Sequence, residues 1–106
     1  MAKTDRMRSQ ARAEVLKALG HPSRVLMVEE LSRGERCVCE LTALVGADVS
    51  TVSKHLSILR NAGIVDFEKR GTQVFYRLIM PCTAAFFQCV DAILEKRLEE
   101  RKRALR

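Results

Sequence analysis

Residues 46–78 constrain the fold most, because their hydrophobic period changes from helical to strand-like within a few residues. Val52, Leu56 and Leu59 recur at the i, i+4 and i+7 spacing of a helix that buries one face. Apolar and polar residues then alternate over residues 65–76, as they do in a half-buried strand pair. The sequence therefore predicts a helix followed directly by a β-hairpin.

The bounds of this helix follow from local signals. Asp48 is suited to accept hydrogen bonds from the first turn as an N-cap, and Gly63 is suited to end the helix. We therefore predict a helix over residues 49–62. The face opposite its apolar stripe is short, polar and basic, and carries Ser50, Thr51, Ser53, Lys54 and Ser57.

Four further helices complete the predicted architecture. An apolar stripe over residues 13–19 stops at Gly20, Pro22 starts a second helix, a third spans residues 38–45, and Pro81 starts a long last helix. This order is mainly α with a β-hairpin wing, the plan of a winged helix-turn-helix. We expect one domain over residues 1–106, with an N-terminal arm at 1–10 and a dimerisation helix at 81–106.

Charge and hydropathy narrow the class of protein. The net charge of +6 lies at the two ends of the chain, since residues 18–94 carry eight basic and eight acidic side chains. A basic protein favours a polyanionic partner. No apolar run approaches the ~20 residues that cross a bilayer, and the N-terminus is charged, so we expect a cytoplasmic protein. Thiols stay reduced there, and no structural disulfide is expected.

The winged-helix plan predicts where DNA would bind. Its second helix enters the major groove, and its wing contacts the backbone or the minor groove. The predicted DNA contacts are Ser50, Thr51, Ser53, Lys54, His55, Ser57, Lys69 and Arg70. The basic hairpin tip could instead serve solubility alone. For His55, a phosphate contact and a partly buried, hydrogen-bonded histidine are equally weighted alternatives.

The last helix predicts a homodimer. Its apolar side chains are more numerous than one small core requires, and they are Phe86, Phe87, Val90, Ile93, Leu94 and Leu98. Dimers place two reading helices one DNA turn apart, which strengthens weak single-site recognition. The first and last helices are the expected interface.

Four segments resemble successive signatures of the ArsR/SmtB family of winged-helix metalloregulatory repressors. They are "LGHPSRVLMVEEL", "CVCELTALVG", "STVSKHLSILRNAGIV" and "KRGTQVFYRL", within residues 13–80. The stretch "VSKHLSILRNAGIV" is the most diagnostic. The resemblance implies a homodimeric repressor that releases operator DNA when an inducer, commonly a metal or metalloid ion, binds.

Cys37 and Cys39 stand at the predicted start of the third helix. With Cys37 as N-cap and Glu40 at N3, the residues predict a capping box that uses a thiol. The helix dipole and Arg36 both favour thiolates, which bind soft ions. Residues two apart in a helix point about 200° apart, so we expect the sulfurs to diverge. Chelation by both would then distort this turn and tilt the reading helix.

The resemblance also implies a specific inducer. The "CVCEL" element is similar to the third-helix site of the family's arsenic- and antimony-sensing members, which assigns As(III) or Sb(III) to Cys37 and Cys39. A further cysteine often follows three residues on, but here Thr42 stands there. Cys82, Cys89 or an external thiol would have to supply the third ligand, although either cysteine could simply pack as a small apolar residue. The last helix has Asp91 but no histidine, so the family's Asp/His site is not expected.

Three rival functions remain at this point. A repressor controlled by oxidation or persulfidation would couple Cys37 or Cys39 to Cys82 or Cys89. A constitutive DNA-binding protein would use its thiols only for packing. An enzyme is disfavoured, because the chain has no Cys-x-x-Cys pair, no phosphate-binding Gly-rich loop and no nucleophile–base arrangement.

Overall fold

The computed structural model describes residues 2–105, which form five α-helices and a three-stranded antiparallel sheet. The helices are α1 (Lys3–Leu19), α2 (Pro22–Leu31), α3 (Val38–Val45), α4 (Val49–Asn61) and α5 (Thr83–Ala104). The strands are β1 (Arg36–Cys37), β2 (Val65–Arg70) and β3 (Gln73–Leu78). The predicted winged helix-turn-helix architecture is confirmed.

Local capping fixes the turn between α3 and α4. Gly46 ends α3 at φ 74°, a left-handed conformation that a side chain would strain. Asp48 then caps α4. The bounds predicted for α3 are confirmed, and α4 ends one residue earlier than predicted. This short connection sets α4 against α3 as the second helix of a helix-turn-helix.

The core holds α4 by its apolar face. Val52, Leu56 and Leu59 are fully buried, together with Met27 of α2 and Leu41 of α3. Burying one such side chain contributes roughly 1.5–3 kcal/mol, so three of them fix the rotation of α4 about its own axis. The polar face of α4 is thereby left to solvent.

The sheet has one strand more than the predicted hairpin. The hairpin of β2 and β3 is confirmed, and β1 adds to the other edge of β3 in the order β1-β3-β2. Arg36 pairs with Tyr76, and Cys37 pairs with Phe75. A strand of two residues has no readable period, which is why the sequence did not indicate it. This pairing ties the start of α3 to the wing.

The two terminal helices differ from their predicted starts. Residues 3–10, where an arm was expected, belong to α1. Helix α5 begins at Thr83 rather than Pro81, with Cys82 as its N-cap. Thr83 is the one buried residue of α5 in the described chain. Phe86 and Phe87 are partly buried against the core, and the apolar stripe of the helix is exposed beyond them, from Val90 to Leu98. No helix in residues 2–105 is long and apolar enough to cross a membrane.

Candidate nucleic-acid interface and cysteine pair

The exposed face of α4 presents the predicted reading residues together. Ser50, Thr51, Ser53, Lys54 and Ser57 are all exposed. At the start of the helix, Asp48 Oδ1 accepts hydrogen bonds from the Thr51 backbone N–H (2.7 Å) and the Ser50 hydroxyl (3.0 Å). The Thr51 bond is the main reason that the pKa of Asp48 lies below its ordinary value. The cap therefore uses the Ser50 proton, whereas Ser53, Lys54 and Ser57 face solvent.

His55 connects α4 to the start of α2. Its Nδ1 lies 3.0 Å from Nη1 of Arg24, and its ring centroid lies 4.4 Å from that of His21. Because a guanidinium only donates, His55 Nδ1 must accept and Nε2 must carry the hydrogen. Burial, together with His21 and Arg24, lowers the pKa of His55. His55 is thus placed as a half-buried, hydrogen-bonded histidine, the second of the two alternatives.

Arg70 at the wing tip is held by two carboxylates. Its guanidinium donates to both oxygens of Glu35 and to Glu68, and lies 4.8 Å from the centroid of the Phe75 ring. The hydrogen bonds to Glu68 and Glu35 raise its pKa. Lys69, its neighbour, is exposed. Glu35 was not predicted as a partner of Arg70, because this contact depends on folding the loop before β1 against the wing.

The capping box predicted at Cys37 is confirmed. Cys37 Sγ accepts a hydrogen bond from the Glu40 backbone N–H at 3.3 Å, and Glu40 Oε1 accepts from the Cys37 backbone N–H at 3.1 Å. Cys37 is buried and Cys39 is exposed. The pair therefore combines one sulfur that builds the helix start with one that reaches solvent.

Two expectations about this pair are wrong. The sulfurs do not diverge, and they are joined in a disulfide, with the Cα atoms 5.3 Å apart. The angle between side chains in a helix does not apply to Cys37, because its backbone is extended, at φ −76° and ψ 160°. The sulfurs meet while the capping box stays intact, so joining them does not require unwinding of α3.

A groove runs from the cysteine pair to the reading helix and the wing. It has a volume of about 340 Å³ and is lined by Cys37, Val38, Cys39, Val49, Ser53, Thr72, Gln73 and Val74. Three elements thus contribute to it: the start of α3, the first turns of α4 and the turn of the wing. Thr72 and Gln73 were not predicted as functional residues, because nothing in their local sequence distinguishes them from other turn residues.

Cys82 and Cys89 lie elsewhere. Both are exposed free thiols, at the N-cap and in the second turn of α5, and neither lines the groove. Cys82 precedes the first residue of α5, so of these two cysteines only Cys89 lies within the helix. Within residues 2–105, no three His, Cys, Asp or Glu side chains converge as a metal-binding group.

An apolar surface lies on the side of α1 and α5. Val90, Ile93, Leu94 and Leu98 of α5 are exposed, as is Leu16 of α1. A groove of about 350 Å³ between the helices has a mainly apolar lining, with two acidic residues: Leu16, Leu19, Gly20, Val25, Glu29, Phe86, Phe87, Val90, Asp91 and Leu94. Contiguous apolar surface of this kind marks an interaction site.

The chain is similar in sequence to known bacterial regulatory proteins. The sequence profile of the bacterial regulatory proteins of the arsR family matches residues 21–66. A biofilm growth-associated repressor from Agrobacterium fabrum is 40% identical over 81 residues, covering 76% of this chain and 69% of that protein. A cadmium resistance transcriptional regulatory protein CadC homolog from Staphylococcus aureus is 40% identical over 67 residues, covering 62% and 55%.

A solved structure agrees with the whole fold. The solution structure of the homodimeric winged helix-turn-helix DNA-binding domain Mb0332 from Mycobacterium bovis superposes with a TM-score of 0.78. It is 27% identical and covers 94% of this chain and 93% of that chain. The similarity therefore extends through α1 and α5, beyond the segment that the family profile matches.

Proposed function

Because the chain belongs to the arsR family of bacterial regulatory proteins, and is a transcriptional regulator of that family rather than an enzyme, we propose that it is an operator-binding repressor controlled by its cysteine pair. The observation that carries the proposal is the exposed polar face of α4 beside the wing, with Cys37 and Cys39 in the groove between them. The repressor named among its relatives supports the direction of regulation.

DNA binding rests on α4 and the wing. Ser53, Lys54 and Ser57 offer hydrogen-bond donors and a cation to base edges and phosphates from a helix whose opposite face is locked in the core. Ser50 and Thr51 stand at the exposed start of this helix, and both donate to Asp48 in the free protein, so their contacts with DNA would compete with the cap. Lys69 and Arg70 contact phosphates, and His55 acts by holding α4 against α2.

We assign the apolar surface of α1 and α5 to a second copy of the chain. A symmetric pair of domains would cover Val90, Leu94 and Leu98 and would present two α4 helices to successive turns of the operator. The homodimeric state of the related Mycobacterium bovis domain supports this arrangement. One domain alone offers a single short reading helix.

The first candidate inducer is As(III) or Sb(III), or another soft ion. Soft ions bind thiolates, and the sulfurs of Cys37 and Cys39 meet without disturbing the capping box, so both can contact one ion. The cadmium resistance regulator among the relatives supports a soft ion as inducer. Cys82 and Cys89 of the same chain do not reach this groove, so we assign the third ligand to an external thiol.

A second candidate inducer is an oxidant, because Cys37 and Cys39 are placed to close a disulfide with each other. Two thiols and one molecule of hydrogen peroxide give one disulfide and two molecules of water. The two thiols together lose two electrons, which reduce the peroxide. The partners would be Cys37 and Cys39 themselves, rather than either of them with Cys82 or Cys89.

Operator-binding anisotropy tests the proposal. The reduced protein is first used to enrich a binding sequence from a random pool. The selected duplex is a labelled DNA of about 30 base pairs with this sequence, long enough for two half-sites. We expect arsenite to release wild type but not Cys37→Ser/Cys39→Ser protein, with Cys82→Ser/Cys89→Ser protein responding as wild type. Release by peroxide but not arsenite would favour the second candidate. If no duplex is enriched, or if both double variants respond alike, the proposal is wrong.

A further inference from the structure

The groove between α4 and the wing lies where the predicted DNA backbone must pass. In a winged helix-turn-helix, one phosphodiester strand runs between the helix in the major groove and the wing beside it. Val49 and Ser53 form one wall of this groove, and Thr72 and Gln73 form another. Cys39, in the remaining wall, is exposed.

The chemistry of the groove fits a phosphodiester. Ser53 and Thr72 carry hydroxyl donors, and Gln73 carries an amide donor, all exposed. Two exposed lysines stand next to residues that line the groove: Lys54 follows Ser53 on α4, and Lys69 pairs with Val74 across the wing. Val38, Val49 and Val74 also line the groove, and their apolar side chains can pack against the sugars of the DNA backbone.

We propose that operator backbone occupies this groove, so that DNA and any group attached to Cys39 exclude each other directly. The inference rests on the proposed DNA-binding function and adds how the cysteine pair acts on it. Direct exclusion does not require α4 to tilt, which was expected only if the two sulfurs diverged. Because binding is reciprocal, DNA weakens attachment at Cys39 by the same factor by which the attached group weakens DNA binding.

Exclusion makes the size of the attached group decisive. The Cys37–Cys39 disulfide adds no atoms to the groove and keeps the capping box, so it changes operator affinity by less than about threefold, well under the loss that removal of several phosphate contacts produces. A soft ion with an external thiol as its third ligand adds bulk at Cys39. The geometry therefore favours a bound ion or adduct over the bare disulfide as the releasing event.

The first test measures protection of Cys39 by DNA. In Cys37→Ser/Cys82→Ser/Cys89→Ser protein, Cys39 is the one thiol, and the serine at position 37 keeps a good N-cap. Its alkylation by iodoacetamide is timed with and without the selected duplex at saturation. We expect DNA to slow the reaction at least about tenfold, the protection given when DNA occupies the site more than nine-tenths of the time. Protein with Cys82 as its one thiol is the matched control, and its rate should not change.

The second test grades the size of the adduct. The Cys39-only protein is converted to its methylthio and glutathionyl mixed disulfides, and the anisotropy of the selected duplex is measured for each. We expect a small loss of affinity for the methylthio adduct and a loss at least about tenfold larger for the glutathionyl adduct, whose bulk and net negative charge both oppose phosphate. Glutathionylation of Cys82-only protein controls for charge.

Each outcome decides the inference. Equal alkylation rates with saturated DNA, or equal losses for both adducts, would overturn direct exclusion while leaving the repressor proposal standing. If the anisotropy never rises with added protein, the repressor proposal and this inference both fail. Protection of Cys39 together with a size-graded loss supports exclusion.

Discussion

Substitution of Glu35 by glutamine should strengthen DNA binding by releasing Arg70. In the free protein, Arg70 donates to both carboxylate oxygens of Glu35 and to Glu68, so a phosphate must compete with two anions for one guanidinium. Glu35→Gln keeps the shape of the side chain and removes one of those anions. Exposed ion pairs are individually weak, so we expect the affinity to rise only about two- to fivefold.

Ionic strength and a matched control make this small effect measurable. The anisotropy of the selected duplex should be followed at about 0.05 and 0.3 M salt, because the gain shrinks as the Debye length falls below about 10 Å. Glu99→Gln is the control: it removes the same charge from another exposed pair, with Lys102, and corrects for the change in net charge. In an Arg70→Gln background, Glu35→Gln should have no effect beyond that control.

The reasoning would be refuted if Glu35→Gln bound DNA no more tightly than Glu99→Gln. Weaker binding would mean that Glu35 orients Arg70 towards phosphate rather than withholding it. A gain that persisted in the Arg70→Gln background would assign the effect to general charge near the wing.

Three further predictions concern the dimer, the helix cap and His55. Leu94→Glu should convert the homodimer to monomer by sedimentation equilibrium, whereas Leu105→Glu, at a position 88% exposed, should not; a dimeric Leu94→Glu protein would contradict the assigned interface. In reduced protein, Cys37→Ala should be about 1 kcal/mol less stable to urea than Cys37→Ser, since serine retains the N-cap acceptor; equal stabilities would mean that the cap contributes nothing. The lowered pKa of His55 means that the unfolded chain binds its proton first, so stability should be full above its ordinary value of 6.5 and fall as the pH drops from there towards the folded pKa. His55→Gln should flatten this fall between about pH 7.5 and 5.5 in urea titrations, and an unchanged slope would exclude His55 as its source.

The sequence was most informative where structure is local. The burial of Val52, Leu56 and Leu59 follows from their spacing alone, since residues three and four apart share one side of any α-helix. The capping box at Cys37 and Glu40 was predictable for the same reason, because its partners are three residues apart. These features require no knowledge of how the chain returns on itself.

Contacts between distant segments were beyond local reasoning. Two such contacts depend on the loop after α2 packing beside the wing. They are the pairing of β1 with β3 and the hydrogen bonds from Arg70 to Glu35. The divergence of the two sulfurs was predicted wrongly because a helical angle was applied to a residue whose backbone is extended. That extended conformation is shared by an N-cap and a strand, and Cys37 is both.

The double role of Cys37 separates the tasks of the two cysteines. Cys37 caps α3 through its sulfur and pairs with Phe75 through its backbone, and the residue is only 4% exposed. Cys39 has neither constraint and opens into the groove that we assign to the operator backbone. Reagents from solution should therefore meet Cys39 first, and Cys37 should act as the second sulfur that completes chelation or closes the disulfide. A pair arranged in this way can respond at the DNA surface while the fold that presents α4 stays intact.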